Sequence, residues 1–309
     1  MSVAATYAPN RYHRVQMNTV SLNNAHTKAL VGASLKGYSL HCIIFRTATD
    51  PCMGSGHILV YAFDVLMQIY LSCGYTERDA AQSIVRHNLW GLDLSKRAYQ
   101  LAYFAVMMKA RQYDRRFLTR KIKPNLAHFQ DLPTPNYDLL DEPIKSFIEQ
   151  FENADTYGSL IQVQADDSID EALDNFDGNL MINRSQTEHY MSLYKIVSQR
   201  YEVVCTNPPY LGSGRFSSLL ADFTKKHFDD EKADLSMVMF RHAVDNLVAK
   251  DGYVSFITTS SWLFLSSFEK LRKYIVNSYQ LDSIVDYGTE LFDGKVGHNP
   301  IVSWVLRKT

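Results

Sequence analysis

The sequence has few of the features that mark secreted, metal-stabilised or membrane-spanning proteins. Its four cysteines show neither a Cys-x-x-Cys pair nor a regular spacing, which predicts free thiols without disulfides and without a zinc site. No run of about 18 apolar residues is present, and the N-terminus has no apolar signal-peptide core. We therefore expect a cytoplasmic protein with no membrane partner.

Charge of one sign is also lacking, because the formal net charge of the 309 residues is only −1. No overall field draws the protein towards nucleic acid or a membrane, so contact with nucleic acid would need local basic patches. Residues 111–123 form one such patch, which is as typical of a solvated surface as of a phosphate-binding one. The acidic stretch at residues 166–171 lacks the regular ligand spacing of a hard-cation loop, so no metal site is predicted there.

What the sequence does contain is a short apolar run, residues 203–206, that stops at two prolines. The run predicts a buried strand, and Pro208 and Pro209 force the chain to leave it as a stiff, non-helical loop. The side-chain oxygen of Asn207 and the carbonyl of Pro208 can each accept one hydrogen from an amino group on a flat ring, on which Tyr210 can stack. Asn-Pro also opens ordinary turns, but the full Asn-Pro-Pro-Tyr tetrad favours a functional loop.

A glycine turn lies upstream, between a predicted strand at residues 42–45 and a predicted helix at residues 58–67, with residues 47–49 leading into the turn. The helix is apolar on nearly every side and is expected to be buried. Gly54 and Gly56 let the backbone turn tightly and approach a ligand closely, and the N-terminus of the helix offers unpaired N–H groups. A lone Gly-x-Gly is weak, but Asp-Pro-x-x-Gly-Ser-Gly directly after a strand favours a nucleotide-type cofactor site.

Two further predicted strands place an acid at or just past their ends. Residues 87–93 end on Asp93, and an acid at the tip of the second strand of a nucleotide-binding unit accepts both ribose hydroxyls. A helix cap is the alternative role for Asp93. A short strand within residues 124–132 has Asp131 near its end, where the carboxylate can accept from an adenine amino group or belong to a surface turn.

The remaining pattern predicts a lead-in, an insertion and the second half of a sheet. Residues 1–41 are polar and weakly patterned, and residues 42–309 are predicted to form one domain. Residues 133–200 are predicted to be an insertion between the third and fourth strands, with helices at residues 144–151 and 193–199. Further helices are predicted at residues 234–248 and 268–276, and further strands at residues 252–257, 281–285 and 301–306.

Together these motifs resemble the catalytic core of adenine-N6-specific DNA methyltransferases that use S-adenosylmethionine. Within that group the sequence is similar to the large methylases of phage-defence systems, the PglX type of BREX systems, and to methylase parts of type II and type IIS restriction enzymes. The resemblance extends over roughly residues 50–309. Four segments carry it: DPCMGSGH from Asp50, GLDLSKRAYQLAYFAVMMKAR from Gly91, CTNPPYLGSG from Cys205 and GYVSFITTSSWL from Gly252.

The resemblance implies an α/β fold with a doubly wound, mostly parallel seven-stranded sheet, of the Rossmann-like class I methyltransferase type, with a helical insertion and an antiparallel last strand. It implies that double-stranded DNA is the substrate, that other defence-system subunits are candidate partners, and that no metal is needed. The implied catalytic residues are Asn207, Pro208, Pro209 and Tyr210. The residues implied to hold S-adenosylmethionine are Asp50, Pro51, Cys52, Gly54, Ser55, Gly56, Asp93, Leu94, Asp131 and Leu132.

Two parts of the family pattern find no match. The family has a helix before the first strand that closes over the methionine end of the cofactor, and residues 1–49 show no counterpart. It also carries a target-recognition domain after the catalytic core, whereas this chain stops at Thr309, so a fragment or a shortened gene is expected. Two alternatives stay open. The unmatched parts favour an inactive remnant that acts as an interaction subunit, and the Asn-Pro-Pro-Tyr tetrad also suits a methyltransferase that acts on a protein glutamine or an RNA base.

Overall fold

The computed structural model describes residues 46–130, 132, 142–163, 184–289 and 300–308. The strands within these residues are β1 (Ala48–Asp50), β2 (Leu89–Asp93), β3 (Asn125–His128), β4 (Tyr201–Thr206), β5 (Val248–Thr259), β6 (Tyr279–Gly288) and β7 (Ile301–Lys308). They form one sheet in the order β3-β2-β1-β4-β5-β7-β6. Strands β1 to β5 are parallel to one another, and β7 is antiparallel to both β5 and β6. The mostly parallel seven-stranded α/β sheet, with its antiparallel last strand, is confirmed.

Helices connect the strands and cover the sheet. Those described are α1 (His57–Ser72), α2 (Glu77–Ser83), α3 (Lys96–Tyr113), α4 (Glu142–Glu149), α5 (Ala154–Tyr157), α6 (Arg184–Val197), α7 (Ser218–His227), α8 (Leu235–His242), α9 (Ser261–Phe264) and α10 (Glu269–Ser278). Helices α2, α7 and α8 are capped at their N-termini by Thr76, Ser217 and Asp234, whose side chains accept from backbone N–H groups of the first turn. No helix in the described ranges is both long and apolar enough to cross a membrane.

Alternate residues of the strands pack on opposite faces of the sheet, and each face has its own helices. On one face, Val204 and Phe256 belong to a core that also contains residues of α4, α6, α8 and α10. On the other face, Cys205 packs with Ile58 of α1, and Leu126 packs with residues of α1, α2 and α3. The sheet is therefore buried between two helical layers, which explains why its central strands are apolar runs instead of alternating patterns.

Strands β1 and β4 lie where the chain reverses its direction across the sheet. From β1 the chain moves outward through β2 to β3 with helices on one face, and from β4 it moves through β5 towards β6 and β7 with helices on the other. Ligands of such sheets bind outside the carboxyl ends of the strands at this switch point. Both motifs singled out in the sequence follow these two strands.

The first strand differs from the prediction. Residues 42–45, where the sequence predicts it, lie outside the described residues, and residues 47–49 are predicted only to lead into the turn. In the structure Ala48–Asp50 is itself the strand, because it pairs with β2 on one side and β4 on the other. Asp50 therefore ends β1 and does not open the turn.

Two predicted elements are shorter than expected, because a π-helical turn precedes the next strand and takes up one end of each. The turn Ile84–Asn88 takes up the start of the predicted strand at residues 87–93, and the side chain of Asn88 accepts from the Tyr70 hydroxyl at 2.9 Å. The turn Ala243–Leu247 likewise ends the helix predicted at residues 234–248. In both places the helix widens by one residue as the chain turns into the strand.

The helices predicted within residues 133–200 belong to the layer that covers the sheet. Helix α6 packs on β3 and β2, and Phe147 and Leu193 are nearly fully buried in the core that β4 and β5 share. The remaining predicted elements are confirmed with shifted ends: the helices at residues 144–151, 193–199 and 268–276, and the strands at residues 124–132, 252–257, 281–285 and 301–306.

Candidate functional site

Two loops follow the strands at the switch point: the glycine loop, residues 51–56, and the proline loop, residues 207–210. The hydroxyl of Thr206, the last residue of β4, donates to Oδ1 of Asp50, the last residue of β1, over 2.6 Å. This hydrogen bond joins the two strand ends directly. The loops therefore leave the sheet side by side at the carboxyl ends of two central strands, and the structure brings together two motifs that lie far apart in the sequence.

The glycine loop is fixed to the neighbouring strand β2. The N–H of Met53 donates to the carbonyl of Leu92, and the N–H of Gly54 donates to Oδ2 of Asp93, both at 2.9 Å. The other carboxylate oxygen of Asp93, Oδ1, accepts from the N–H of Ser95 at 2.8 Å. Asp93 thus orients the loop and the start of α3 together. A carboxylate has about four acceptor positions, so Asp93 keeps capacity for ligand hydroxyls.

Gly54 and Gly56 have different reasons to be glycine, although both have positive φ angles, +53° and +86°. A Cβ on Gly54 would meet no atom within 4 Å. A Cβ on Gly56 would lie 2.9 Å from the Cα and Cβ of Ala102 in α3. Gly56 therefore allows α1 and α3 to pack closely, and Gly54 is the glycine of this pair that faces open space.

Asp50 is a buried carboxyl group with one oxygen satisfied and one not. It is 1% exposed, and its Oδ1 accepts from the Cys52 N–H at 3.1 Å as well as from Thr206. Its Oδ2 has no hydrogen-bond partner among the described residues. Burial raises the pKa of Asp50 to about 7, against the opposing effect of the two hydrogen bonds and with a contribution from the nearby Asp93. A cationic ligand group would satisfy Oδ2 and ionise the carboxyl group.

Cys52 and Cys205 are thiols and not thiolates. Burial raises the pKa of both side chains above the ordinary cysteine value, and Sγ of Cys52 donates to Sδ of Met239 over 3.3 Å. The thiolate is the nucleophilic form of cysteine. Neither residue is therefore suited to attack a substrate ring, and the site favours chemistry without a covalent enzyme intermediate.

The proline loop is more exposed than the glycine loop. Asn207 and Pro209 are exposed, and Pro208 is buried. The hydroxyl of Tyr210 donates to Oδ1 of Asn207 at 2.6 Å and lies 3.3 Å from the carbonyl oxygen of Ile257. Burial raises the pKa of Tyr210, so it stays a hydrogen-bond donor. The Asn207 amide is thus oriented by its own loop, and its second oxygen lone pair remains for a ligand.

The predicted cofactor-binding residues that follow β2 and β3 are described in part. Leu94 is 45% exposed directly after β2, and its carbonyl accepts from the Gln130 N–H at 3.1 Å. Leu132 is partly buried against the main core. Asp131 lies outside the described residues, so its predicted contact with adenine stays a prediction. Of these residues, Leu94 is the one next to Asp93, which holds the glycine loop through the Gly54 N–H.

Two residues that sequence reasoning missed complete the arrangement. Thr206 stands one position before the tetrad, where a polar side chain at the end of a buried strand is the signal that could have identified it. The hydroxyl of Ser159 donates to the carbonyl of Pro51, 108 residues away in the chain, and no local pattern predicts that contact. Ser55, which is predicted to bind the cofactor, has its hydroxyl 3.0 Å from Nδ1 of His57, the first residue of α1.

Charged groups are distributed unevenly around the site. The basic stretch at residues 111–123 begins in the last turn of α3 and leads to the amino end of β3, whereas the two loops lie at the carboxyl ends of the strands. Arg120 of that stretch pairs with Asp114. Arg215, by contrast, is exposed in the 3₁₀ turn Ser213–Arg215 directly after the proline loop. The described residues contain no group of three or more His, Cys, Asp or Glu side chains that could hold a metal ion.

Sequence comparison connects the chain with restriction-modification methylases. The family model of the Eco57I restriction-modification methylases matches residues 87–292, more than half of the chain. The adenine-specific methyltransferase PglX of Lacticaseibacillus casei (strain Zhang) is 37% identical over 271 residues, 80% of this chain and 22% of that protein. The adenine-specific methyltransferase BrxX of Escherichia coli O9:H4 (strain HS) is 31% identical over 327 residues, 92% of this chain and 26% of that protein. The chain thus spans about a quarter of the length of these relatives.

Comparison with solved structures shows the same fold in much longer enzymes. The ATP-dependent Type ISP restriction-modification enzyme LlaBIII, bound to DNA, superposes with a TM-score of 0.59 at 14% identity, over 96% of this chain and 19% of that one. The DrdV–DNA complex gives a TM-score of 0.58 at 14% identity, over 95% of this chain and 26% of that one. At this level of identity the likeness is one of fold.

Proposed function

Because this chain belongs to the family of the Eco57I restriction-modification methylases, we propose that it transfers a methyl group from S-adenosylmethionine to the N6 amino group of adenine in DNA. The observation that carries the proposal is the Thr206–Asp50 hydrogen bond, which sets the proline loop beside the glycine loop. A methyl donor held at one loop and an amino group held at the other would meet in the crevice of the switch point. The proposal includes a role in a phage-defence or restriction-modification system.

The glycine loop fits S-adenosylmethionine, which supplies a methyl group carried on a positively charged sulfonium. Asp50 offers the positive ligand a buried carboxyl oxygen that has no partner among the described residues. Asp93 keeps acceptor positions for the ribose hydroxyls beyond the two that Gly54 and Ser95 use. Gly54 leaves open space beside the backbone, where a side chain would otherwise stand.

The proline loop fits an amino group on an aromatic ring. The nitrogen of such a group is a poor nucleophile, because its lone pair is delocalised into the ring. Hydrogen bonds from its two hydrogens to Oδ1 of Asn207 and to the carbonyl of Pro208 would favour a pyramidal nitrogen with a directed lone pair. The same acceptors would stabilise the positive charge that develops on the nitrogen during transfer.

An adenine inside a duplex has to leave the base stack before it reaches the proline loop. Extruding the base costs a few kcal/mol, and stacking on the Tyr210 ring would return about 1–3 kcal/mol of that cost. The exposed guanidinium of Arg215, just after the loop, could contact the phosphate backbone beside the extruded base.

Calorimetric titration and product analysis test this function together. We expect saturable binding of S-adenosylmethionine and, with methyl-labelled cofactor, N6-methyladenine in duplex DNA detected by mass spectrometry. Label in RNA or on a protein glutamine would reassign the substrate to one of the alternatives left open above. No binding at about 1 mM cofactor would overturn the proposal and favour the inactive remnant.

A further inference from the structure

A segment distant from both motifs in the sequence reaches the glycine loop. Helix α5 and the 3₁₀ turn Gly158–Leu160 lie between β3 and β4 in the chain. Asn153 and Gly158, with φ angles of +59° and +53°, turn the backbone sharply at either end of α5. Leu160 is buried in the main core, and the turn packs on β2 and α8. The turn is therefore a fixed part of the fold.

Ser159, in the middle of this turn, clamps one peptide unit of the glycine loop. Its side chain is 6% exposed, and its hydroxyl donates to the carbonyl of Pro51. The N–H of the same peptide unit, that of Cys52, donates to Oδ1 of Asp50 at 3.1 Å. The Pro51–Cys52 peptide is planar and is held at both ends, so it cannot rotate without breaking at least one of these bonds.

The clamp acts on the buried carboxyl group of Asp50. Its Oδ1 is occupied by the Thr206 hydroxyl and the Cys52 N–H, which leaves Oδ2 as the oxygen for a ligand. Without the Ser159 hydroxyl, the carbonyl of Pro51 would lose its partner at a site closed to water. Rotation of the peptide to find another partner would then withdraw the Cys52 N–H from Asp50.

The end of α5 and the start of the turn also adjoin structure that follows each of the two motifs. A Cβ on Gly158 would lie 3.4 Å from Cδ1 of Leu94, the residue after Asp93. The ring of Tyr157 stacks on Phe223 of α7 with 4.1 Å between centroids and 21° between planes. Because α7 follows the proline loop in the chain and Leu94 follows Asp93, Tyr157 and Gly158 lie between structure that adjoins both loops.

We propose that Ser159 is a positioning residue of the cofactor site, whose hydroxyl holds the Pro51–Cys52 peptide in the orientation that presents Asp50 to S-adenosylmethionine. This inference rests on the proposed function. It assigns a role in cofactor binding to a residue that acts through the Pro51–Cys52 peptide, from a segment between the third and fourth strands.

The test compares Ser159→Ala with Ser198→Ala, in which a partly buried serine loses an equivalent hydrogen bond, 2.7 Å long, to the carbonyl of Tyr194 in α6. The dissociation constant for S-adenosylmethionine is measured by calorimetry across pH, together with the melting temperature. For Ser159→Ala we expect affinity to fall about fivefold and the pH midpoint of binding to rise by about half a unit, because the charged form of Asp50 loses a donor. Ser198→Ala should change neither quantity. Asp93, Cys52 and Cys205, the other titratable groups that interact with Asp50, are the same in both variants.

The outcomes separate this inference from the proposed function. If wild-type protein binds the cofactor and Ser159→Ala binds it equally well, the positioning role is overturned and the function stands. If wild-type protein does not bind, both fall together. If Ser159→Ala melts at a lower temperature than Ser198→Ala, then Ser159→Thr, which keeps the hydroxyl, decides: recovered affinity supports the role, and no recovery overturns it.

Discussion

The glycine loop and the proline loop leave neighbouring strands, yet the protein holds them in different ways. The glycine loop is tied to β2 through Asp93 and to the turn Gly158–Leu160 through Ser159, and Thr206 of β4 holds the carboxyl group at its base. The proline loop is held through Tyr210 alone among these contacts: its hydroxyl donates to Asn207 within the loop and lies 3.3 Å from the carbonyl oxygen of Ile257 in β5. On the proposed function, this contrast would make the glycine loop a preorganised half for the cofactor and the proline loop an adaptable half for the base.

The two halves should respond differently to substitution, because burial decides what a lost hydrogen bond costs. A buried acceptor left without a donor costs about 1–3 kcal/mol, whereas an exposed group can turn to water. Changes at the glycine loop should therefore lower stability and cofactor affinity together. Changes at the proline loop should lower methyl transfer and leave stability nearly unchanged. The predictions below can break or sharpen that division.

The largest effect is expected at the tip of the proline loop, for Asn207→Ala. The variant should lower the rate of methyl transfer by about a hundredfold or more, because on the proposed function it removes an acceptor of the adenine amino group. Since Asn207 is exposed, the melting temperature and the calorimetric affinity for S-adenosylmethionine should stay close to wild type. Asn277→Ala, at an exposed position of α10, is the control. Cofactor affinity lost together with retained methylation would contradict the assignment of both loops.

The next largest effect is a dependence of cofactor affinity on pH that originates in the glycine loop. Burial raises the pKa of Asp50 from its ordinary 3.8 to about 7, so the folded protein favours the neutral carboxyl group. The contribution of Asp50 to the free energy of unfolding therefore declines as the pH rises from 3.8 to about 7. A cationic cofactor requires the ionised form. Affinity should therefore fall about tenfold per pH unit below about 7 and level off above it.

Calorimetry between about pH 5.5 and 7.5 measures this dependence, and the number of protons released on binding provides an independent check. In Asp50→Asn, affinity should be weak at every pH and the slope should disappear. A wild-type affinity that does not change across this interval would show that Asp50 is not the group the cofactor ionises.

The sequence contained most of what is needed to locate the two halves of the site. Residues 203–206 and the two prolines predict a buried strand that ends in a stiff loop. Asp93 is singled out by its place at the end of the second predicted strand. These features are local: each follows from propensity, periodicity and turn chemistry within about ten residues. The fold follows from their order along the chain.

The sequence did not reveal how the halves are held. The Thr206–Asp50 and Ser159–Pro51 bonds join residues that are 156 and 108 positions apart, and such pairings depend on how the sheet brings segments together. Gly56 shows the same limit. Its positive φ fits a ligand-binding turn, but the close approach of Ala102 gives it a packing reason that only the tertiary structure shows.

A smaller effect is expected for Thr206→Val, which removes a hydroxyl from a fully buried residue with little change of shape. Oδ1 of Asp50 would lose its shorter hydrogen bond, so unfolding should require about 1–3 kcal/mol less free energy. Chemical denaturation measures this. Thr224→Val is the matched control, because within the described ranges its hydroxyl bonds only to the carbonyl of Ala221 in α7, at 3.1 Å. If both variants lose equal stability, the bond between the two strand ends contributes no more to the free energy of unfolding than a hydrogen bond within a helix.

The smallest effect, and the one that best isolates the proline loop, is expected for Tyr210→Phe. The variant keeps the ring for stacking and removes the hydroxyl that orients Asn207. A hydrogen bond with a net value of about 1 kcal/mol should lower kcat/KM by about fivefold, with no change in cofactor affinity. Tyr287→Phe is the control, since its hydroxyl bonds to Ser303 at 3.0 Å and its ring packs in the same small cluster as that of Tyr210. A hundredfold loss for Tyr210→Phe would instead give the hydroxyl a direct part in the chemistry, and the proline loop would then be as preorganised as the glycine loop.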